Sequence, residues 1–262
     1  MAIFGAAITA VQVAQEAIKV ISNNVANART TGFKASELAT SDLFYSNVKR
    51  AGTIENSEAA RRPTGLQIGS GAKVDGTYRI LTQGDFRNTN NPLDIAIIGP
   101  GYFPITLPNG KIGYTRDGAF KLDPDTRRLV TIRGEPLDTN ITIPDTVIDL
   151  NTVSIDSSGI LTALDANNVT VLSVQLELFS FPNENGLEAG GNNMLFQTLG
   201  SGEAVQIADT TNKFKQRYLE LSNVEYVKEL TDMIDAQRAY ELATRVIRTQ
   251  DEMAKDLNAI KS

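Results

Sequence analysis

The sequence predicts an α+β fold: long N- and C-terminal α-helices that pair as a coiled-coil-like core, with a central antiparallel β domain. Three observations lead there. All nine prolines lie between Pro63 and Pro182, and proline removes an amide donor and clashes inside a helix, so both ends are free to be helical. Those ends carry apolar residues at helical spacing, whereas the middle alternates with period two.

In the first segment Ile3, Ala7, Ala10, Ala14, Ala17 and Ile21 alternate by four and three, with Val11, Ile18 and Val25 widening the stripe. Glu16 and Lys19 are its charges before Arg29, so little of the helix surface prefers water. Asn23, Asn24 and Asn27 then crowd the stripe before Gly32 ends it. Capping of a helix end accounts for one or two of these amides. A buried, unpartnered amide costs about 1 to 3 kcal/mol, so the cluster is expected to bond between helices and set their register.

The last segment repeats the pattern. Met233, Ala236, Tyr240, Ala243, Ile247, Ala254 and Leu257 form a heptad seam interrupted by Gln250, and Ala239, Leu242, Val246, Met253 and Ile260 form a second apolar row. Two rows call for more than one packing partner. Between the ends, Leu172, Val174, Leu176 and Leu178 alternate with polar residues as in a half-buried strand, and Leu93 to Ile98 is nearly continuous apolar strand. Asn109-Gly110 between strand-like runs marks a hairpin in which both turn residues can take positive φ. Turn chemistry at Asp117-Gly118, Asp123-Pro124-Asp125, Ser158-Gly159 and Asn183 to Gly186 completes an antiparallel region. The expected division is residues 1–35 and 222–262 as helical core, 36–72 and 200–221 as connectors, and 73–199 as the β-rich domain.

Composition narrows the chemistry. The chain has 262 residues, 41% of them hydrophobic, with no Cys and no His. That removes Cys/His zinc sites, thiol nucleophiles and imidazole-based triads. A net charge of -6 disfavours nucleic acid and anionic lipid as partners. No basic n-region opens the chain and no stretch has the length of a membrane span, so the residues alone place it in the cytoplasm by default. Gly99-Pro100-Gly101 lacks the rest of a phosphate-binding fingerprint, and Asp123 with Asp125 lacks the rest of a calcium loop, so both read as turns. No cofactor or metal is expected. A carboxylate-pair hydrolase stays open, because such a pair could lie anywhere among the 31 acids. So does a globular binding module whose helices pair within one chain.

Four motifs carry a resemblance. SNNVANARTTGFK (Ser22 to Lys34), TQGDFRNTNNPLDIAIIGPGYF (Thr82 to Phe103), YTRDGAFKLD (Tyr114 to Asp123) and SNVEYVKELTDMIDAQRAYELATRVI (Ser222 to Ile247) resemble, in order, the flagellar rod and hook axial family. The resemblance implies a structural subunit, not an enzyme. It would polymerise with copies of itself into a helical tube around an export channel, leaving the cell by the flagellar type III route without a cleaved signal and spanning the periplasm within the basal body. Proximal rod proteins, hook protein and the P-ring and L-ring proteins would be its neighbours, with no membrane insertion. The implied helical-core interface is Ile3, Ala7, Ala10, Ala14, Ile21, Asn23, Asn24, Asn27, Met233, Tyr240, Ile247 and Leu257. A stretch marked by Ser46, Arg50, Glu55 and Pro63 corresponds to one that stiffens a rod. Ala10 departs from a Gly usual in the family. Pro104 stands where an amide donor is usual, which places its strand at an edge or a bulge. Arg29 should face solvent or an acid.

Overall fold

The computed structural model describes residues 2–49, 64–139, 141–147, 150–165, 167, 169–208, 210 and 213–261. Arg50, Glu55 and Pro63, and the side chains of Ile3 and Leu257, lie outside what is described. The fold is α+β, with helices α1 (Ala2–Ala26) and α2 (Tyr226–Lys261) at the ends and antiparallel strands between them. The chain forms two compact units, one of residues 1–26, 36–79 and 225–262 and the other of residues 27–35 and 80–224.

In the first unit α1 packs against α2. The helices run antiparallel, since Asn24 late in α1 bonds Glu229 early in α2, while Gln15, Ile18 and Lys19 share a groove with Tyr240. At 1.5 Å per residue α2 is about 54 Å long, and its first carboxylate, Glu229, sits where the helix dipole favours negative charge. Strands β1 (Ser36–Asp42) and β4 (Ala72–Arg79) pair beside α1, with a bulge between Ala39 and Thr40. Within that pair, β2 (Tyr45–Lys49) joins β3 (Leu66–Gly69) as a second two-stranded ribbon. Strands β2 and β3 lie within residues 36–72, the stretch expected as a connector. The β2–β3 ribbon is exposed on both faces, so no alternation of burial is imposed on its residues.

The second unit holds β5 (Phe86–Asn88), β6 (Ile95–Ile97), β7 (Phe103–Thr106), β8 (Ile112–Thr115), β9 (Lys121–Leu122), β10 (Leu129–Val130), β11 (Val153–Ile155), β12 (Ile160–Leu164), β13 (Thr170–Gln175), β14 (Phe179–Ser180), β15 (Glu188–Gly191), β16 (Met194–Phe196), β17 (Val205–Gln206), β18 (Phe214–Gln216) and β19 (Tyr218–Glu220). Its largest sheet runs β15-β16-β8-β7. β7, which carries Pro104, is an edge strand, as a residue without an amide donor requires. Neighbouring residues at its start face two different cores. Phe103 packs edge-on against Phe120 with ring centroids 5.1 Å apart, while Tyr102 joins Tyr114, Phe181 and Leu187. Leu176 and Leu178 are fully buried, as their alternation implies.

One turn differs from expectation. In the Asn109-Gly110 hairpin Gly110 takes φ +78° and Asn109 does not take positive φ. The Gly110 amide donates to the Leu107 carbonyl, and the Leu107 amide to the Lys111 carbonyl. This is the longer loop closed by a left-handed glycine rather than a two-residue turn, because Pro108 lies inside the loop and presets an ordinary negative φ.

Candidate assembly surface

Helix α2 buries one seam and exposes the other. Glu229 and Ala243 are buried, and Met233, Ala236, Tyr240, Ile247 and Gln250 are half-buried on the same face. Leu242 at 60%, Val246 at 43% and Met253 at 61% remain exposed, together with Val227, Leu230 and Ile234. On α1, Ala7 and Ala14 are buried and Ile21 is half-buried, but Ala10 is exposed. The outward positions Gly5, Ile8, Ala10, Gln12 and Gln15 carry no charge. A helix face kept for water usually carries charge.

The three asparagines separate. Asn24 is buried and bonds within the chain: its amide donates to Glu229 Oε1 at 3.0 Å and to the Ser36 carbonyl at 2.8 Å, and its Oδ1 accepts from the Ser36 amide at 2.9 Å. The interhelical amide bond therefore exists, but within one chain rather than between copies. Asn27 works as a helix end, its backbone carbonyl accepting from the Thr30 amide and its side chain from the Thr30 hydroxyl. Asn23 is exposed, as is Arg29. Burial pushes the Glu229 carboxyl above its ordinary value, and the hydrogen bond from Asn24 opposes that shift. A carboxyl raised in this way adds stability below the ordinary Glu range and loses it as pH rises through the raised value. Glu229→Gln still accepts from Asn24. It should exceed the parent in thermal midpoint at neutral pH, with the difference shrinking as pH falls through the raised value and gone below the ordinary Glu value. A difference independent of pH would contradict this.

Gln250 interrupts the seam with a cost. Its Oε1 is buried without a hydrogen-bond partner, a loss of about 1 to 3 kcal/mol. Gln250→Leu should raise the stability of the helix pair by about 1 kcal/mol or more, read from helical circular dichroism in a thermal melt. An unchanged or lower midpoint would show that the oxygen is satisfied.

Residues 27–35 are bonded into the second unit around an ion cluster that sequence reasoning missed. Glu220, with its side chain 1% exposed, accepts from Lys34 Nζ and from Arg116 Nε, each at 2.6 Å, and from the Gly84 amide at 3.0 Å. Lys34 also donates to the Thr82 carbonyl, and Arg116 to the carbonyls of Gly99 and Gly101. The Gly99-Pro100-Gly101 turn thus presents carbonyl oxygens to a cation, the opposite polarity to a phosphate cradle. Burial pushes the Lys34 ammonium below its ordinary value, and the Glu220 hydrogen bond opposes that. Gly32 takes φ +66° and donates its amide to the Glu220 carbonyl; a Cβ there would lie 2.8 Å from the Arg116 backbone. Thr31 donates to Asp117, whose carboxyl burial pushes up. The local hint was a Lys closing Gly-Phe-Lys and an Arg inside a strand motif, with nothing nearby to pair them.

Asp123 accepts from Thr126 and from the Asp125 amide, so its carboxylate serves a turn. Among the described residues no group of three acidic, His or Cys side chains could hold a metal ion. No helix there is long and apolar enough to cross a membrane.

Residues 5–34 match the family described as flagella basal body rod protein, residues 96–163 the flagellar hook protein FlgE/F/G D1 domain, and residues 215–260 the flagellar basal body rod FlgEFG protein C-terminal region. The chain is 41% identical over 249 residues to the flagellar basal-body rod protein FlgG of Caulobacter vibrioides, covering 94% of each chain. It is 39% identical to FlgG of Borreliella burgdorferi over 93% of this chain and 92% of that one. With the flagellar hook-basal body complex protein FlhP of Bacillus subtilis it shares 31% identity over 94% of each. The chain belongs to the family of flagellar basal-body rod and hook proteins, which are structural subunits rather than enzymes.

Proposed function

We propose that the chain is the distal rod subunit, polymerising into a helical tube that transmits torque from motor to hook and encloses the export channel. The observation that carries this is the second apolar row of α2, exposed at Leu242, Val246 and Met253 while the first row is used against α1. Burying such side chains contributes about 25 cal/mol per Å2 once a neighbour covers them. Pairing of α1 and α2 in the coiled-coil manner, through Ala7, Ala14, Ile21, Met233, Tyr240 and Ile247, supplies the unit that polymerises. Ala10 and Asn23, exposed in a single chain, then face other copies. Export by the flagellar type III system, a periplasm-spanning position and contacts with proximal rod, hook and P- and L-ring proteins follow from this reading.

The distal assignment is favoured by the relatives that carry the FlgG name over nearly the whole chain. The ribbon at Ser46 gives the stiffening segment a physical basis. Ser46 is exposed, and Phe44, Tyr45, Val48, Leu66 and Ile68 around it are exposed apolar side chains on a pair of strands that is marginal without a neighbour. The test is Leu242→Asp combined with Val246→Asp: helical circular dichroism of the monomer should be unchanged and sedimentable polymer lost. Polymer yield equal to that of the parent would remove the proposal.

A further inference from the structure

The paired helices leave an open groove of about 350 Å3 lined by Gln15, Ile18 and Lys19 of α1 and by Tyr240 of α2. Its walls are almost wholly apolar. Lys19 stands at the rim, its side chain 68% exposed and paired with Glu16 of the same helix at 2.7 Å. Elsewhere on α2, Leu242, Val246 and Met253 form an exposed ridge. At 100° per residue the ridge lies about 140° round the helix from Tyr240. Groove and ridge therefore cannot meet within one chain.

A groove and a ridge on different faces make a heterologous contact, which continues from copy to copy instead of closing on a two-fold axis. Charge sets the direction. At 100° per residue Asp256 and Glu252 stand on Met253's side of α2, Asp251 and Lys255 lie on the far side and Arg245 flanks Val246, while Lys19 is the only cation of α1. We propose that this groove seats the Leu242–Val246–Met253 ridge of a second copy, with Met253 entering beside Lys19. Methionine suits an irregular apolar slot, being unbranched and adaptable. The assignment rests on the polymer reading above and names the contact that would propagate it.

The chain has no cysteine, so cross-links between introduced thiols are unambiguous. Gln15→Cys and Met253→Cys chains are prepared separately, mixed, assembled and mildly oxidised, with Gln15→Cys plus Val227→Cys as the reference pair. The expected result is a mixed Gln15→Cys/Met253→Cys disulfide at least tenfold above the reference, in sedimentable polymer. Polymer that forms without this excess, or in which Gln15→Cys pairs mainly with itself, overturns the groove assignment and leaves the polymer reading standing. The same cross-link confined to closed pairs also overturns it. If the unsubstituted chain forms no polymer at all, the polymer reading fails and the groove with it. Lys19→Glu gives a check without thiols: it should raise the concentration needed for assembly about two- to fivefold, the scale of one exposed ion pair, and Glu252→Lys on the same chain should restore it. Unchanged assembly of Lys19→Glu, or no restoration, counts against the contact.

Discussion

Replacing Glu220 with Ala is expected to destabilise the β-rich unit by about 3 to 5 kcal/mol, the cost of leaving buried charges without their partner. Lys34 and Arg116 are both buried, with side chains 7% and 6% exposed. Without Glu220 they would face each other uncompensated. A domain has about 5 to 15 kcal/mol in all, so this one change would bring the unit near unfolding. Glu220→Gln should cost less, because its Oε1 can still accept from Gly84 and Lys34. Apolar replacement of all three residues would not rescue the site, since Lys34 and Arg116 also satisfy the carbonyls of Thr82, Gly99 and Gly101. Urea unfolding followed by sheet circular dichroism measures the effect. A loss under about 1 kcal/mol for Glu220→Ala would mean the cluster behaves as an exposed pair.

Deleting Met233 to Ser262 is expected to abolish polymer while leaving the β-rich unit folded. The main core of that unit, from Leu93 through Phe214, contains no residue of either helix, so its packing energy survives the truncation. The helical unit does not survive it. Removal of Ala236, Tyr240, Ala243 and Ile247 uncovers the face of α1 that carries Ala7 and Ala14, and a helix in a protein draws most of its stability from such tertiary packing. Circular dichroism should show helix lost and sheet retained, and sedimentation should show monomer. Loss of the sheet signal, or continued assembly, would contradict the account.

The terminal helices and much of the β body were legible because each rests on local spacing. The stripe of Ala7, Ala14 and Ile21, the two rows on α2, the edge position of Pro104 and the alternation through Leu178 are all set by residues a few positions apart. The ion cluster was not legible: Lys34 and Arg116 lie 186 and 104 residues from Glu220, and no periodicity links them. Gly118 shows the same limit. Beside Asp117 it reads as an ordinary turn residue, yet a Cβ there would meet the Ile95 carbonyl oxygen at 1.7 Å, so it is glycine because two backbones touch. The asparagine cluster was legible as interhelical bonding for Asn24 and as capping for Asn27. The choice between bonding within a chain and between chains depends on how α1 packs on α2, which no local spacing encodes.

The central claim is that a single copy satisfies one face of its helical pair and leaves the next for another copy. Electron microscopy of the purified chain at rising concentration tests this most directly. Hollow tubes that lengthen with concentration are the predicted result; a chain that stays monomeric, or stops at closed dimers, at every concentration would contradict it.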